Sequence, residues 1–284
     1  MISFVFFGTD NFSTTALEEL KTAGLLPVII VTAPDRPKGR HLKLSPPPVK
    51  VWAEKNGISY IQPNKMDASL ENHLSSSGCQ LFIVASFGKI LREKLLEIPK
   101  YGALNIHPSL LPKYRGPSPV SGAILNDDKN TGVTIMLMEQ GVDTGPILAE
   151  KKHTVKEWPA APELEAELAK EGAKLLVEIL PDYLNGHLKP SPQDDLRATY
   201  TKKLEKENAE IDLNADSRKN FLKIQAHAGS APAFFFVMKS DKRIRVKITS
   251  AKWLDNTLKI LRVVPEGKKE TNFQDFMTNL NRSI

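Results

Sequence analysis

Gly102-Ala-Leu-Asn-Ile-His-Pro-Ser-Leu-Leu-Pro-Lys-Tyr-Arg-Gly116 is the stretch around which the chain is organised. Its opening, Gly102 to His107, reads as a short buried strand, and Pro108 ends the ladder because it has no N–H to donate. Side chains alternate along a strand, so Asn105 and His107 point the same way at its C-terminal end. In an open α/β sheet that edge is where ligands bind. Taken alone, the pair has an ordinary explanation, a turn-forming amide beside a packed core histidine.

On either side of this stretch, apolar runs of strand length alternate with helical patterns, as in a parallel sheet with helices on its faces. The runs are Ile2–Gly8, Pro27–Ala33, Ser59–Gln62, Leu81–Ser86, Gly132–Met138 and Ile147–Val155. Helical spacing falls at Ser13–Ala23, Val49–Asn56, Ala68–Ser77, Lys89–Ile98 and Pro119–Leu125, and again over 162–180. The predicted class is α/β, a Rossmann-like, mostly parallel sheet with helices on both faces. The first turn, Gly8-Thr-Asp-Asn-Phe12, lacks Gly-x-Gly-x-x-Gly, so a dinucleotide site loses its main support.

The polar, proline-punctuated segment Asn185–Pro192 reads as a linker. Beyond it the texture changes to a helix over Asn208–Ala228 and strands at Phe234–Met238, Arg243–Ile248 and Leu258–Val263. The expected organisation is a catalytic domain at 1–188, a linker at 189–206 and a small basic β-rich domain at 207–284.

The net charge of +6 is uneven. Residues 201–284 hold 17 Lys and Arg against 10 Asp and Glu, while the preceding 200 are almost balanced. A basic module attached to a near-neutral one suits an anionic partner, nucleic acid foremost, although a merely solvated basic surface reads the same way. In the strand Arg243-Ile-Arg-Val-Lys-Ile248, alternation puts Arg243, Arg245 and Lys247 on one face, a plausible phosphate-contact row. The single cysteine, Cys79, excludes an internal disulfide and suggests a reducing, cytoplasmic setting. Met1–Gly8 has no basic leader region, and no run approaches the roughly 18 apolar residues of a membrane helix, so a soluble protein without signal peptide is expected.

A second motif changes the odds for the first. Gly132-Val-Thr-Ile-Met-Leu-Met138 leads into Gly141-Val-Asp-Thr-Gly145, a glycine-bracketed loop with one carboxylate able to orient a histidine. Asp143 could equally serve only its own turn. Asn-x-His-Pro-Ser-Leu-Leu-Pro followed by Gly-Val-Thr-Ile and Gly-Val-Asp-Thr-Gly, however, resembles the folate-dependent formyltransferases, which share an Asn, His, Asp constellation. The basic loop at 34–50 opens Thr32-x-Pro-Asp-Arg-Pro-x-Gly-Arg40, which is similar to the methionyl-tRNA formyltransferase branch, as are Val49-Lys50, Gln62-Pro63 and Pro265-Glu-Gly-Lys-Lys269.

That resemblance implies Asn105, His107 and Asp143 as catalytic residues and 10-formyltetrahydrofolate as co-substrate. The folate would lie against Phe87, Lys89, Ile90 and Leu91 and the segment Ser109, Leu110, Leu111 and Pro112, although plain core packing also explains the apolar members. It implies initiator methionyl-tRNA as the acceptor in translation initiation, with Arg36, Lys38, Arg40 and Lys43 at the acceptor arm and Arg243, Arg245 and Lys247 on the backbone. A monomer is expected. The C-terminal domain would be OB-like but abbreviated, because Trp253-Leu-Asp-Asn256 runs straight into Thr257 with no room for a further hairpin.

The chemistry is consistent with those three residues. Formyl transfer to an amine passes through a tetrahedral oxyanion that wants preorganised donors. Asn105 offers a neutral amide, and His107 offers a second donor and a proton shuttle. Neither a metal nor a covalent nucleophile is needed. The alternatives are a relative of the same fold acting on glycinamide ribonucleotide or an amino sugar nucleotide, and a non-catalytic nucleic-acid-binding relative.

Overall fold

The computed structural model describes residues 2–38, 42–229, 231–239 and 241–281. The elements run β1 (Phe4–Gly8), α1 (Asn11–Thr22), β2 (Ile29–Val31), β3 (Arg36–Lys38), β4 (Lys43–Ser45), α2 (Pro48–Asn56), β5 (Tyr60–Ile61), α3 (Ala68–Ser76), β6 (Leu81–Ala85), α4 (Glu93–Leu96), β7 (Ala103–His107), α5 (Pro119–Leu125), β8 (Asn130–Leu137), β9 (Ile147–Thr154) and α6 (Ala161–Leu184). They continue with α7 (Ser217–Ala226), β10 (Phe234–Lys239), β11 (Lys242–Leu254), β12 (Thr257–Pro265), β13 (Thr271–Asn272) and α8 (Phe273–Asn281).

Two compact units result. The first comprises 1–117, 132–153 and 165–200, and the second 118–131, 154–164 and 201–284. In the first, seven strands lie in the order β5-β2-β1-β6-β7-β8-β9. Pairings from β5 to β7 are parallel, and β8 runs antiparallel to β7. β1 and β6 are buried on both faces, which is why Phe-Val-Phe-Phe and Leu-Phe-Ile-Val-Ala are continuous apolar runs. Each such large side chain contributes about 1.5–3 kcal/mol on burial.

Phe7, Val84 and Asn105 are register neighbours and so share a face. Leu70 and Leu74 of α3 and Leu95 of α4 pack against that face. On the opposite face, a Cβ at Gly172 of α6 would stand 2.4 Å from Ile106, so the helix lies directly on β7. Chain order reverses about β1, with β2 on one side and β6 on the other, and the carboxyl ends of these strands face the reversal point.

The second unit holds the antiparallel sheet β10-β11-β12-β13. Leu254 pairs with Thr257, leaving a two-residue turn in which Asp255 and Asn256 take φ of 49° and 56°. Left-handed values at both central residues are the tight hairpin geometry that Asp and Asn tolerate. Phe235, Val246, Ile248 and Val263 form its core with Ile224 of α7. Residues 118–131 and 154–164 join this unit through polar bonds: the Ser121 hydroxyl donates to the Ala226 carbonyl at 2.9 Å and the Gln225 amide to the Trp158 carbonyl at 2.8 Å. Arg218 reaches Asp127 at 2.7 Å and Glu157 at 2.8 Å.

Three local expectations change. The segment 34–50 carries a hairpin, β3 against β4. The helix foreseen over Lys89–Ile98 is only the single turn of α4, and residues 86–92 run as irregular chain. The helix foreseen from Asn208 begins at Ser217, because the Asp212 carboxylate accepts from Asn214 N and the Asp216 carboxylate caps Lys219 N. Short acidic side chains offer the backbone an alternative to the helix.

Candidate active site

β7 delivers Asn105 and His107, and the loop after β8 delivers Asp143 to the same place. Asp143 Oδ1 lies 3.5 Å from Asn105 Nδ2, and Oδ2 lies 3.7 Å from His107 Nδ1. The Gly116 N–H donates to Oδ2 at 2.7 Å, the shortest bond of the cluster. His107 Nε2 is 3.2 Å from the Tyr114 carbonyl. A carbonyl can only accept, so Nε2 carries the hydrogen, and Nδ1 is the nitrogen that faces Asp143. Asn105 is 8% exposed and His107 4%. In so dry a setting a directed donor is worth more than in water.

The Asp143 loop is held in a costly shape. Asp143 has φ of 54°, and a Cβ at Gly145 would meet the Leu137 carbonyl at 1.9 Å, so only glycine fits there. Two backbone groups in this cluster, Tyr114 C=O and Gly116 N–H, were not foreseen. Sequence names side chains, and a main-chain donor leaves no mark in it.

The segment expected to hold folate divides by environment. Phe87 and Leu91 are buried in the sheet core, with Phe87 edge-on to Phe7 at 5.3 Å. Ile90 is exposed. Lys89 Nζ donates to the Pro63 carbonyl at 2.8 Å, and burial first, then Arg36, pushes its ammonium pKa down. Among the described residues, the backbone of Gly88–Leu91 makes no protein hydrogen bond. It can therefore meet the polar edge of a heterocycle. The turn before it is tied down by the Ser86 hydroxyl donating to Asp10 and the Thr9 hydroxyl to the Phe87 carbonyl at 3.1 Å. Ser109 is committed elsewhere: its hydroxyl donates to the Lys113 carbonyl at 2.7 Å. Leu111 is buried, Leu110 and Pro112 are half-buried, and the Leu111 N–H donates to the Thr134 hydroxyl at 3.1 Å.

One acidic group near this edge had no sequence signal. Burial first, and then Asp10, pushes Glu165 of α6 up to about 7. Among the described residues, no three His, Cys, Asp or Glu side chains gather as they would around a metal ion.

The expected nucleic-acid residues lie on two hairpins. In β3–β4, Arg36 pairs with Ser45 and Lys38 with Lys43. Arg36 and Lys43 are exposed, and Arg40 lies outside the described residues. Asp35 anchors the hairpin base by accepting from Gln62 at 2.7 Å and Lys50 at 2.8 Å, and these bonds, Gln62 first, hold its carboxyl below the ordinary range. On β11, Arg243 and Lys247 are exposed and Arg245 is half-buried. The Arg243 guanidinium lies 3.7 Å from the Phe236 ring centroid and that of Arg245 3.6 Å from Phe234. Arg243 also reaches Glu210 at 3.2 Å.

Comparison with known proteins gives the family. The Formyl transferase family matches residues 1–180. The methionyl-tRNA formyltransferase of Dictyoglomus thermophilum is 39% identical over 305 positions, covering 99% of this chain and 97% of that protein. The chain belongs to the methionyl-tRNA formyltransferase family. The alignment with this family member spans more positions than the chain's 284 residues, so it opens gaps in this chain. Among solved structures, the methionyl-tRNA formyltransferase from Clostridium thermocellum superposes with a TM-score of 0.64, covering 93% of this chain and 99% of that one at 16% identity. An N-formyltransferase from Helicobacter canadensis, solved with folinic acid and dTDP-3-aminofucose, gives 0.63 over 92% and 95% at 19% identity. At those identities the likeness shows the fold alone. No helix among the described residues is long and apolar enough to cross a membrane.

Proposed function

We propose that this chain moves the formyl group of 10-formyltetrahydrofolate to the α-amino group of methionine on initiator tRNA, with Asn105, His107 and Asp143 as the catalytic residues. The carrying observation is their convergence within 3.5–3.7 Å at the carboxyl edge of the sheet in a chain of this family. In the reaction the amine nitrogen forms a bond to the formyl carbon, the bond from that carbon to the folate nitrogen breaks, and a proton passes from the attacking to the leaving nitrogen. Asn105 Nδ2 is only weakly engaged by Asp143 at 3.5 Å and is free to turn its donor on the oxyanion. His107 Nδ1 is the protonic position, and Asp143 stabilises the charge it gains. The acceptor's α-amino group, with a reference pKa of about 7.7–8.0, needs little activation.

The folate reading is supported by the backbone of residues 88–91, unpaired among the described residues, beside the buried Phe87 and Leu91. Leu110, Leu111 and Pro112 supply the apolar border, and Ser109 shapes that segment through its bond to Lys113. The tRNA reading is supported by the basic residues of the two hairpins. Of the first hairpin, Arg36 and Lys43 are exposed, as phosphate contacts require. Glycinamide ribonucleotide or an amino sugar nucleotide would leave that hairpin without a task.

Incubation with 10-formyltetrahydrofolate and charged initiator tRNA should yield formyl-methionyl-tRNA. Turnover with either small acceptor and none with the tRNA would overturn the assignment.

A further inference from the structure

The segment expected as a linker contains a side chain that fits the site too well to be a spacer. Gln193 Oε1 accepts from Arg115 Nε at 3.1 Å and Nη2 at 2.8 Å. Its Nε2 donates to the carbonyls of Asp143 at 2.9 Å and Gly145 at 2.7 Å. Both donors and both acceptor sites of the amide are thereby used. Arg115 is 1% exposed, and its fork also reaches Asp195 at 2.6 Å and the Tyr200 hydroxyl at 3.2 Å. A few residues on, Thr199 accepts from Arg115 N at 2.8 Å through its carbonyl and from Tyr114 N at 2.8 Å through its hydroxyl.

One short stretch therefore holds both backbone loops that meet at the site. The first carries Asp143. The second presents the Tyr114 carbonyl to His107 and the Gly116 N–H to Asp143. A non-glycine residue at a left-handed φ costs on the order of 1–3 kcal/mol and persists only where its surroundings over-determine it. The two bonds from Gln193 fix the chain as it leaves that residue, one at its own carbonyl and one at the carbonyl two positions on. Only a neutral amide can accept from a guanidinium while donating to two carbonyls. Glutamate has no donors, and leucine has neither function.

We propose that Gln193, fixed by Arg115, is the positioning residue that sets the Asp143 carboxylate against Asn105 and His107 without touching either substrate. This rests on the reading of Asp143 as part of the formyl-transfer site. A misplacement of about 1 Å at such a site costs up to roughly 10²-fold in rate.

The test uses Gln193→Leu in the full chain, assayed at saturating and limiting concentrations of both substrates. The expected result is a kcat lowered by about 10- to 100-fold with KM for folate and tRNA nearly unchanged. In the Asp143→Asn background the same substitution should add little further loss, because both act through one carboxylate. The His107 imidazole resonances should move in Q193L as they do in D143N. Full activity, losses that multiply in the double variant, or His107 signals unaltered from wild type would overturn the proposal. If Q193L does not fold, Gln193→Glu decides, since it keeps the bonds from Arg115 and removes only the two donors. Absence of formyl transfer by the wild type would defeat the assigned reaction and leave the His107 signals as an independent test of the positioning.

Discussion

Two arginines show how differently the units use charge. Arg115, in the first unit, is almost wholly enclosed and spends its guanidinium on directed bonds to Gln193, Asp195 and Tyr200. Arg245, in the second, sets its guanidinium over the Phe234 ring, and its Nε is buried with no hydrogen-bond partner among the described residues. Bidentate and forked bonds add geometric specificity, whereas a cation over an aromatic face is held less directionally. Around Arg115 the first unit places atoms, and along β11 the second presents charge. A reaction with a developing oxyanion needs the former. A ligand met through repeated phosphates is served by the latter, because phosphates carry no base identity.

The largest effect should come from breaking the precise side of this contrast. Asn105→Ala is expected to lower kcat by about 10²–10³, the usual loss for one oxyanion donor, with little change in unfolding free energy. A variant retaining more than half the wild-type rate, with chemistry still limiting, removes Asn105 from the mechanism.

Next in size is the polar hub of the second unit, where Arg218 joins Asp127 and Glu157 while Trp158 Nε1 donates to Asp127 at 2.7 Å. Arg218→Ala takes the shared guanidinium from both Asp127 and Glu157. The expected loss is about 2 kcal/mol, below the value for a fully buried pair because the side chains are partly exposed. Calorimetry should show Tm lower by roughly 4–8 °C. An unchanged Tm would reduce the hub to a surface contact.

The tolerant side should respond to salt more than to sequence. Each phosphate contact contributes a slope of roughly −0.9 in a log–log plot of affinity against salt. Arg243 and Lys247 are exposed and Arg245 is half-covered by its ring, so replacing all three with alanine should make the slope shallower by about 2 units. Discrimination of initiator from elongator tRNA should survive. Wild-type affinity and slope in the triple variant would mark this face as merely solubilising.

The smallest effects have opposite signs in the two units. Glu165 is pushed up to about 7 by burial and Asp10, so its stabilising share is full below its ordinary 4.5 and is lost as pH rises through 7. His227 is pushed down from 6.5 by burial, and its Nδ1 has no partner among the described residues. Its share is present above 6.5 and is lost as pH falls below that value. Urea unfolding should therefore find Glu165→Gln more stable than wild type at pH 8 and equal to it at pH 4. His227→Gln should flatten the acid limb. Parallel pH profiles for wild type and variants would mean that neither group is coupled to folding.

Most of the first unit could be read directly. Phe4–Gly8, Leu81–Ala85 and Ala103–His107 are apolar runs with clear stops, and the Asn, His, Asp spacing marked the residues that converge. Strand direction was less accessible, because an apolar run such as Gly132–Met138 reports burial and not polarity. The hairpin in 34–50 was hidden because Arg-Pro-Lys and Lys-Leu-Ser have no periodic apolar face. Gln193 stood unseen because a single amide between a proline and two aspartates has no pattern to match. Its importance comes from four bonds to three residues distant in sequence. Periodicity also announced α5 without saying which core it would join.

That last point has a consequence during synthesis. α5 buries Val120, Ala123 and Ile124 in a unit whose α7 and sheet are encoded about a hundred residues later. At about 5–20 residues per second, the helix leaves the ribosome roughly 5–20 s before its partners exist. Through that interval its apolar stripe is available to any holdase, and a slow codon between 165 and 217 would lengthen the wait. The organism's choice of codons there is a physical variable of this protein as much as its side chains are.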